Sequence, residues 1–218
     1  LRRYQNIEVV FSLVNRSKVP LARFIHEEDL RRELDHVRKL RFNNSELHYL
    51  RGTNEYGDRM FGEDYLQFLK NLELPPYHLE RDGDDYKLEF SGLWPSVMYW
   101  EILALAIVNE LYYRAQLEKM SGFERDAIYA TGIVRLMEKI KALRQFPDLI
   151  LSDFGTRRRF NGMWHDYLIG ILAEELPQQL RGTSNVFCAM KYGLLPMGTS
   201  AHELPMVVAA VAFAQADG

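Results

Sequence analysis

Three short segments in the last third of the chain hold the residue types that do chemistry. They are Ser152-Asp153-Phe154-Gly155-Thr156-Arg157-Arg158-Arg159-Phe160, Arg181-Gly182-Thr183-Ser184-Asn185 and Pro196-Met197-Gly198-Thr199-Ser200-Ala201-His202-Glu203. The arginine triplet is a cluster of planar guanidinium groups. Such groups grip a carboxylate or a phosphate through two parallel hydrogen bonds. Taken alone, a basic triplet is usually a solvated turn. Here it directly follows Phe154-Gly155 and precedes a helical pattern, where the helix N-terminus also favours anions. One of the three arginines is expected to face an anion. Ser184 offers a neutral hydroxyl donor, and with Thr183 it also reads as the cap of the helix that follows. His202 ends a run of small residues that lets a phosphate approach the backbone. A neutral imidazole there is a competent nucleophile. Its plainer role is loop packing, and Glu203 reads either as an orienter of the ring or as a cap. The other histidines (His26, His36, His48, His78, His165) read as surface or packing residues. No His-x-x-x-His pair occurs, so no metal-ligand set is expected.

These segments share a grammar that dictates what must position them. A short apolar run leads into a Gly-Thr turn, and a helical pattern follows. Strand, polar turn and helix, repeated, belong to a layered α/β fold or an α/β barrel. In such folds the loops leaving the C-terminal ends of parallel strands carry the site. Strands are expected over 149–153 and near 181–183, with helices over 162–176 and 185–192, and a further helix after His202. Upstream, Ile7–Val14 reads as a strand. Residues 26–40 read as a helix with Leu30, Leu34, Val37 and Leu40 on its apolar stripe. Further helices are expected from Ser45 and over 62–72. Tyr77–Leu79 and Tyr86–Phe90 flank Asp82-Gly83-Asp84, a hairpin signal. Pro95 opens a long apolar helix over 96–116. Residues 122–144 continue helical, with Ile133, Met137 and Ile140 on the core side. A boundary near Phe146-Pro147 divides an N-terminal mixed domain (1–146) with long buried helices from the first strand–helix units of a barrel (147–218).

Phe-Gly-Thr-Arg-Arg-Arg, Gly-Thr-Ser-Asn and Met-Gly-Thr-Ser-Ala-His-Glu, in that order, resemble the nicotinate phosphoribosyltransferase family. Gly92-Leu93-Trp94-Pro95 and Trp100-Glu101-Ile102 fit the same family. The resemblance runs from about Ile7 to about Pro205. It implies an α+β N-terminal domain followed by the start of an irregular α/β barrel. It implies condensation of nicotinate with phosphoribosyl pyrophosphate to nicotinate mononucleotide, in NAD biosynthesis and salvage. The reaction would be coupled to ATP hydrolysis with Mg²⁺, in a cytoplasmic homodimer with a shared active site. By the same resemblance Phe154 stacks on the pyridine ring, Arg157 is the anion-binding arginine, Thr183 and Ser184 bind substrate, and Thr199 holds a phosphoryl group. His202 becomes the phosphorylated catalytic residue. The related nicotinamide-using enzymes carry an acid where Ser184 stands, and an acid would repel a carboxylate. Ser184 therefore favours nicotinate. Members of the family are longer, so the chain is expected to be an N-terminal portion, inactive alone. The competing readings are a fragment or degenerate homologue that only dimerises, and an amide-using transferase.

Composition narrows the classes further. The 218 residues are 47% hydrophobic and 26% charged, with a net charge of −3 and a pI near 6.1. That balance gives no push toward nucleic acid or an anionic membrane. The one cysteine, Cys188, suits a reducing compartment and reads as a small core residue. The most apolar stretch, Val97–Leu111, is broken by Glu101 and Glu110, which argues against a bilayer span.

Overall fold

Alternating apolar residues and a tight turn build the first sheet. The computed structural model describes residues 5–55, 57–199 and 203–216. Strand β1 (Glu8–Ser12) pairs antiparallel with β5 (Asp85–Leu93), which pairs antiparallel with β4 (Tyr77–Asp82), giving the order β1-β5-β4. The β4–β5 turn falls at Asp82–Asp85, as the hairpin signal predicts. Tyr86, Leu88 and Phe90 occupy every second position of β5 and are buried together, so one face of the sheet looks inward. Against it lie α1 (Glu27–Lys39), through Leu30 and Leu34, and α5 (Trp100–Glu118), through Trp100, Ala104, Val108 and Leu111. Trp100 is fully buried; its ring lies 4.5 Å from Phe90 and its indole N–H donates to the Pro75 carbonyl at 3.0 Å. A satellite core joins α2 (Asn44–Gly52) to α3 (Glu63–Lys70) through Leu47, Leu50, Leu66 and Leu69. Between these helices runs a small ribbon, β2 (Asn54–Glu55) with β3 (Asp58–Arg59).

Four local expectations change. The helix opened by Pro95 divides into a short α4 (Trp94–Val97) and the long α5, with Met98 and Tyr99 between them. Leu40 is 56% exposed because it caps α1 with extended backbone and turns off the stripe. In α6 (Gly122–Leu143) the buried residues are Leu136 and Ile140, whereas Met137 is 64% exposed and Ile133 lies at the surface. The reason is that α6 leans on α7 (Gly162–Glu175) along a line through Leu136, Ile140 and Leu143, against Leu168, Ile171 and Leu172. That stripe keeps Ile140 and replaces Ile133 and Met137 with Leu136 and Leu143. Finally, α8 (Val186–Tyr192) is capped by Asn185, whose Oδ1 accepts from the Cys188 amide at 3.1 Å, not by Thr183 or Ser184.

The last third folds as strand–helix units. Strands β6 (Leu151–Asp153), β7 (Leu180–Thr183) and β8 (Leu195–Pro196) are all parallel, in the order β6-β7-β8. Helices α7 and α8 make the two crossovers, and α9 (Glu203–Ala216) follows. Gly182 is required where β7 meets β8: a Cβ there would sit 2.4 Å from the Leu195 carbonyl oxygen and 2.3 Å from Met197 Cγ. The fold is a mixed helix–strand N-terminal part followed by the opening strands of an α/β barrel. Cys188 is buried, as expected of a small core residue. Among the described residues, no helix is long and apolar enough to cross a membrane.

Candidate functional site

Parallel pairing brings the three signature segments to one edge. Asp153 ends β6, Thr183 ends β7 and Pro196 ends β8, and these residues are register partners in that order. Their loops are laced to one another by backbone bonds. The Ser184 amide donates to the Asp153 carbonyl at 2.8 Å, and the Met197 amide donates to the Thr183 carbonyl at 2.9 Å.

Asp153 is the hub beneath this edge. Its Oδ2 accepts from Thr183 Oγ1 at 2.7 Å and faces His165 Nε2 at 3.0 Å; its Oδ1 accepts from the Gly155 amide at 3.0 Å. Burial alone would raise this carboxyl, but the bonds from His165 and Thr183 more than offset it, and Asp153 ends below the usual carboxylate range. Thr183 and His165 are both buried. The Thr183 hydroxyl points into the network, so Thr183 shapes the strand end from below. Gly155 leaves room for the hub: a Cβ there would lie 2.9 Å from Asp153 Oδ1 and 3.4 Å from His165 Nε2.

Above the hub, Phe154 is half-exposed, an aromatic face at the strand end. The turn Thr156–Arg158 then runs against α5. Arg157 Nη1 meets Glu101 Oε1 at 2.5 Å, and Arg159 Nε meets Glu110 Oε1 at 2.5 Å. Asn109 Nδ2 donates to the Arg157 carbonyl at 3.1 Å. Arg158 is exposed and, among the described residues, joins no ion pair. Two of the three arginines are thus oriented by carboxylates from the buried helix. Ser184 is half-buried, one residue beyond the β7 end, and Thr199 is exposed in the segment after β8. Ser200, Ala201 and His202 lie outside the described residues, so the expectation for His202 concerns a position beyond this geometry. Glu203, the first residue of α9, has its carboxyl raised to about 7, by burial first and then by hydrogen bonding and repulsion from Glu101, with the Trp94 indole opposing. Its environment is therefore the Glu101 carboxyl.

Asp153, Asn109, Glu101 and Glu110 carry no site role in the sequence reading, and His165, read there as a surface or packing residue, is a buried partner of Asp153. For the α5 residues a signal existed. Polar groups inside an otherwise apolar, buried helix need partners, or they cost stability. For Asp153 and His165 a separation of twelve residues carries no such signal. Among the described residues, no cluster of three His, Cys, Asp or Glu side chains forms a metal cage.

A parallel strand edge that offers an aromatic face, a half-exposed guanidinium and a hydroxyl-bearing loop places this chain among proteins built on an α/β barrel. The comparisons narrow that class. Residues 1–109 match the model of the nicotinate phosphoribosyltransferase N-terminal domain, and residues 149–217 match that of the nicotinate phosphoribosyltransferase family. The chain belongs to the nicotinate phosphoribosyltransferase family. A crystal structure of nicotinate phosphoribosyltransferase from Vibrio cholerae superposes with a TM-score of 0.77 at 26% identity, covering 93% of this chain and 47% of that one. The enzyme of the same name from Porphyromonas gingivalis gives 0.74 at 25% identity, covering 93% and 49%. A structure from Saccharomyces cerevisiae, at 24% identity and a TM-score of 0.71, supports the fold alone. The chain spans about half the length of these solved structures, between 47% and 50%.

Proposed function

We propose that the protein of which this chain forms part transfers the phosphoribosyl group of phosphoribosyl pyrophosphate to nicotinate. The observation that carries the reading is the juxtaposition of Phe154, Arg157 and Ser184 at adjacent parallel strand ends in a chain of this family. In this reading Arg157 grips the nicotinate carboxylate, Phe154 stacks on the ring, and the Ser184 hydroxyl donates to the same carboxylate. The pyridine nitrogen has a free lone pair. It bonds to the ribosyl C1 as the C1–pyrophosphate bond breaks, so the products are the pyridinium nucleotide and pyrophosphate. No general base is needed. The work is positioning and electrostatic support of a ribosyl cation and its leaving group. Mg²⁺ enters as the counter-ion of the phosphate substrates. Thr183 acts from beneath the pocket and Thr199 toward the phosphates.

ATP coupling through His202 completes the proposal: the imidazole takes the γ-phosphoryl group, ADP leaves, and water later releases phosphate. The family resemblance supports this step. A cytoplasmic homodimer with a shared site, and a domain division near Phe146–Pro147, belong to the same proposal.

The test supplies full-length protein with nicotinate, phosphoribosyl pyrophosphate, Mg²⁺ and labelled ATP. Nicotinate mononucleotide and pyrophosphate should form in equal amounts, and the protein should acquire an acid-labile, base-stable label. In His202→Asn the label and the ATP stimulation should vanish together while basal synthesis continues. Label retained in that variant would refute the phosphohistidine and leave the transfer reaction standing.

A further inference from the structure

Two carboxylates of α5 hold the arginine segment from behind, and one of them, Glu101, meets Arg157. Arg157 contacts Glu101 through Nη1 alone, and its side chain is 42% exposed while that of Glu101 is 26% exposed. Among the described residues the other guanidinium N–H groups have no hydrogen-bond partner, and they present a planar fork to a ligand. The backbone of the same turn is fixed by Asn109, whose amide also donates to the Leu105 carbonyl at 2.8 Å inside α5. Further along the same helix, Glu110 holds Arg159. Helix α5 is rigid here because it is the central piece of the main core, with Trp100 and Ala104 buried on either side of Glu101. A flexible arginine loses much rotamer freedom on binding an anion; one already tethered loses less.

We propose that Glu101 is the positioning residue of the anion pocket, holding the Arg157 guanidinium in its ligand-binding orientation from the buried helix. The inference rests on the reading of Arg157 as the ligand of the nicotinate carboxylate. It sets two physical effects against each other. By charge alone, Glu101 opposes the binding of any anion at Arg157, because it already neutralises the guanidinium and adds a negative charge within a few ångströms. By geometry, Glu101 favours binding, because it prepays the ordering of the side chain. The sign of the effect of removing Glu101 therefore separates a positioning role from a merely structural ion pair.

The experiment is calorimetric titration of nicotinate into full-length wild type, Glu101→Ala, Glu101→Asp, Glu101→Gln and Arg157→Ala. If Glu101 positions the arginine, Glu101→Ala should bind nicotinate about 10-fold more weakly, although the guanidinium has lost its partner carboxylate. Glu101→Asp keeps the charge but shortens the reach by one methylene, and it should also weaken binding by a few-fold. Glu101→Gln keeps an acceptor oxygen at the original reach and should recover binding to within about 3-fold of wild type. Binding in Glu101→Ala that is unchanged or tighter than wild type overturns the proposal. Should Glu101→Ala fail to fold, Glu101→Asp decides, and wild-type affinity there overturns the proposal equally. The underlying reading fails separately: in that case Arg157→Ala binds nicotinate as tightly as wild type, whatever the Glu101 variants do.

Discussion

Ser184 tests specificity at the scale of one hydroxyl. Its amide is anchored to the Asp153 carbonyl, so the backbone that presents its side chain is fixed while the side chain stays half-buried at the strand edge. On the proposed function, an aspartate there would stand beside the nicotinate carboxylate, and an unpaired like charge at close range is costly. Ser184→Asp should depress the use of nicotinate by about 10-fold or more and shift competition toward nicotinamide, whose amide can donate to the new acid. Competition assays with both bases check this; an unchanged ratio would remove Ser184 from the specificity assignment. The residue scale also shows what the sequence conceals. Phe154, Arg157 and Ser184 stand out because aromatic, cationic and hydroxyl residues cluster beside glycines. Asp153 and His165 do not, because their partnership exists only once β6 and α7 are folded against each other. Thr183 was legible as a member of the motif, but its buried hydroxyl, aimed down at Asp153, follows from the pleat of β7.

At the scale of elements, the parallel sheet was legible because turn and helix signals recur after each apolar run. The hairpin at Asp82–Asp85 was legible because a two-residue turn announces itself. What the sequence obscured were choices between neighbouring helical stripes. In α6 the positions 133, 137 and 140 and the positions 136, 140 and 143 both satisfy helical spacing, and only the packing of α7 selects the second set. The division of α4 from α5 was hidden for a related reason: the whole stretch is apolar, so periodicity marks no interruption. One junction permits a sharp forecast. The approach of β7 to β8 leaves no room at Gly182, where the obstacle that matters is backbone: the Leu195 carbonyl oxygen stands 2.4 Å from the place a Cβ would take. Backbone cannot swing aside as a side chain can. Gly182→Ala should therefore destabilise the protein by about 2 kcal/mol or more, as overpacking does, and should loosen the loop that carries Ser184. Denaturant unfolding checks the first effect. A loss below about 0.5 kcal/mol, the level of a neutral surface change, would mean that the β7–β8 pairing is looser than it stands here.

At the scale of the molecule, the N-terminal part meets the barrel part through the apolar seam of α6 and α7 and through charged groups that α5 presents to the arginine turn and to α9. Glu101 takes part in both contacts: it pairs with Arg157 and stands beside Glu203, which the Trp94 indole also faces. A chain that joins its parts through a carboxyl pair becomes sensitive to protons, and the direction can be worked out. Glu203 sits near 7 in the folded protein against an ordinary value of 4.5, raised by burial and then by Glu101. Between those values the folded chain holds a proton that the unfolded chain has released. The unfolded state binds fewer protons there, so stability falls as pH rises across that window; the contribution is complete below 4.5 and gone above about 7. The carboxyls that pull the other way act elsewhere. Glu63, held near 2 by hydrogen bonds from Arg51 and then Arg59, gives stability that is lost only as the solution becomes strongly acidic. Asp153, also lowered, behaves likewise on the acid side. The two classes of group therefore separate along the pH axis. Glu203→Gln keeps the size of the side chain and a donor toward Glu101 while removing the titration. Its melting temperature should vary less than that of wild type between about pH 4.5 and 7, and at about pH 8 the variant should be the more stable of the two. Thermal melts at matched ionic strength measure both quantities. Parallel pH profiles for the two proteins would show that Glu203 is ionised in solution and that the contact between α5 and α9 does not depend on a shared proton.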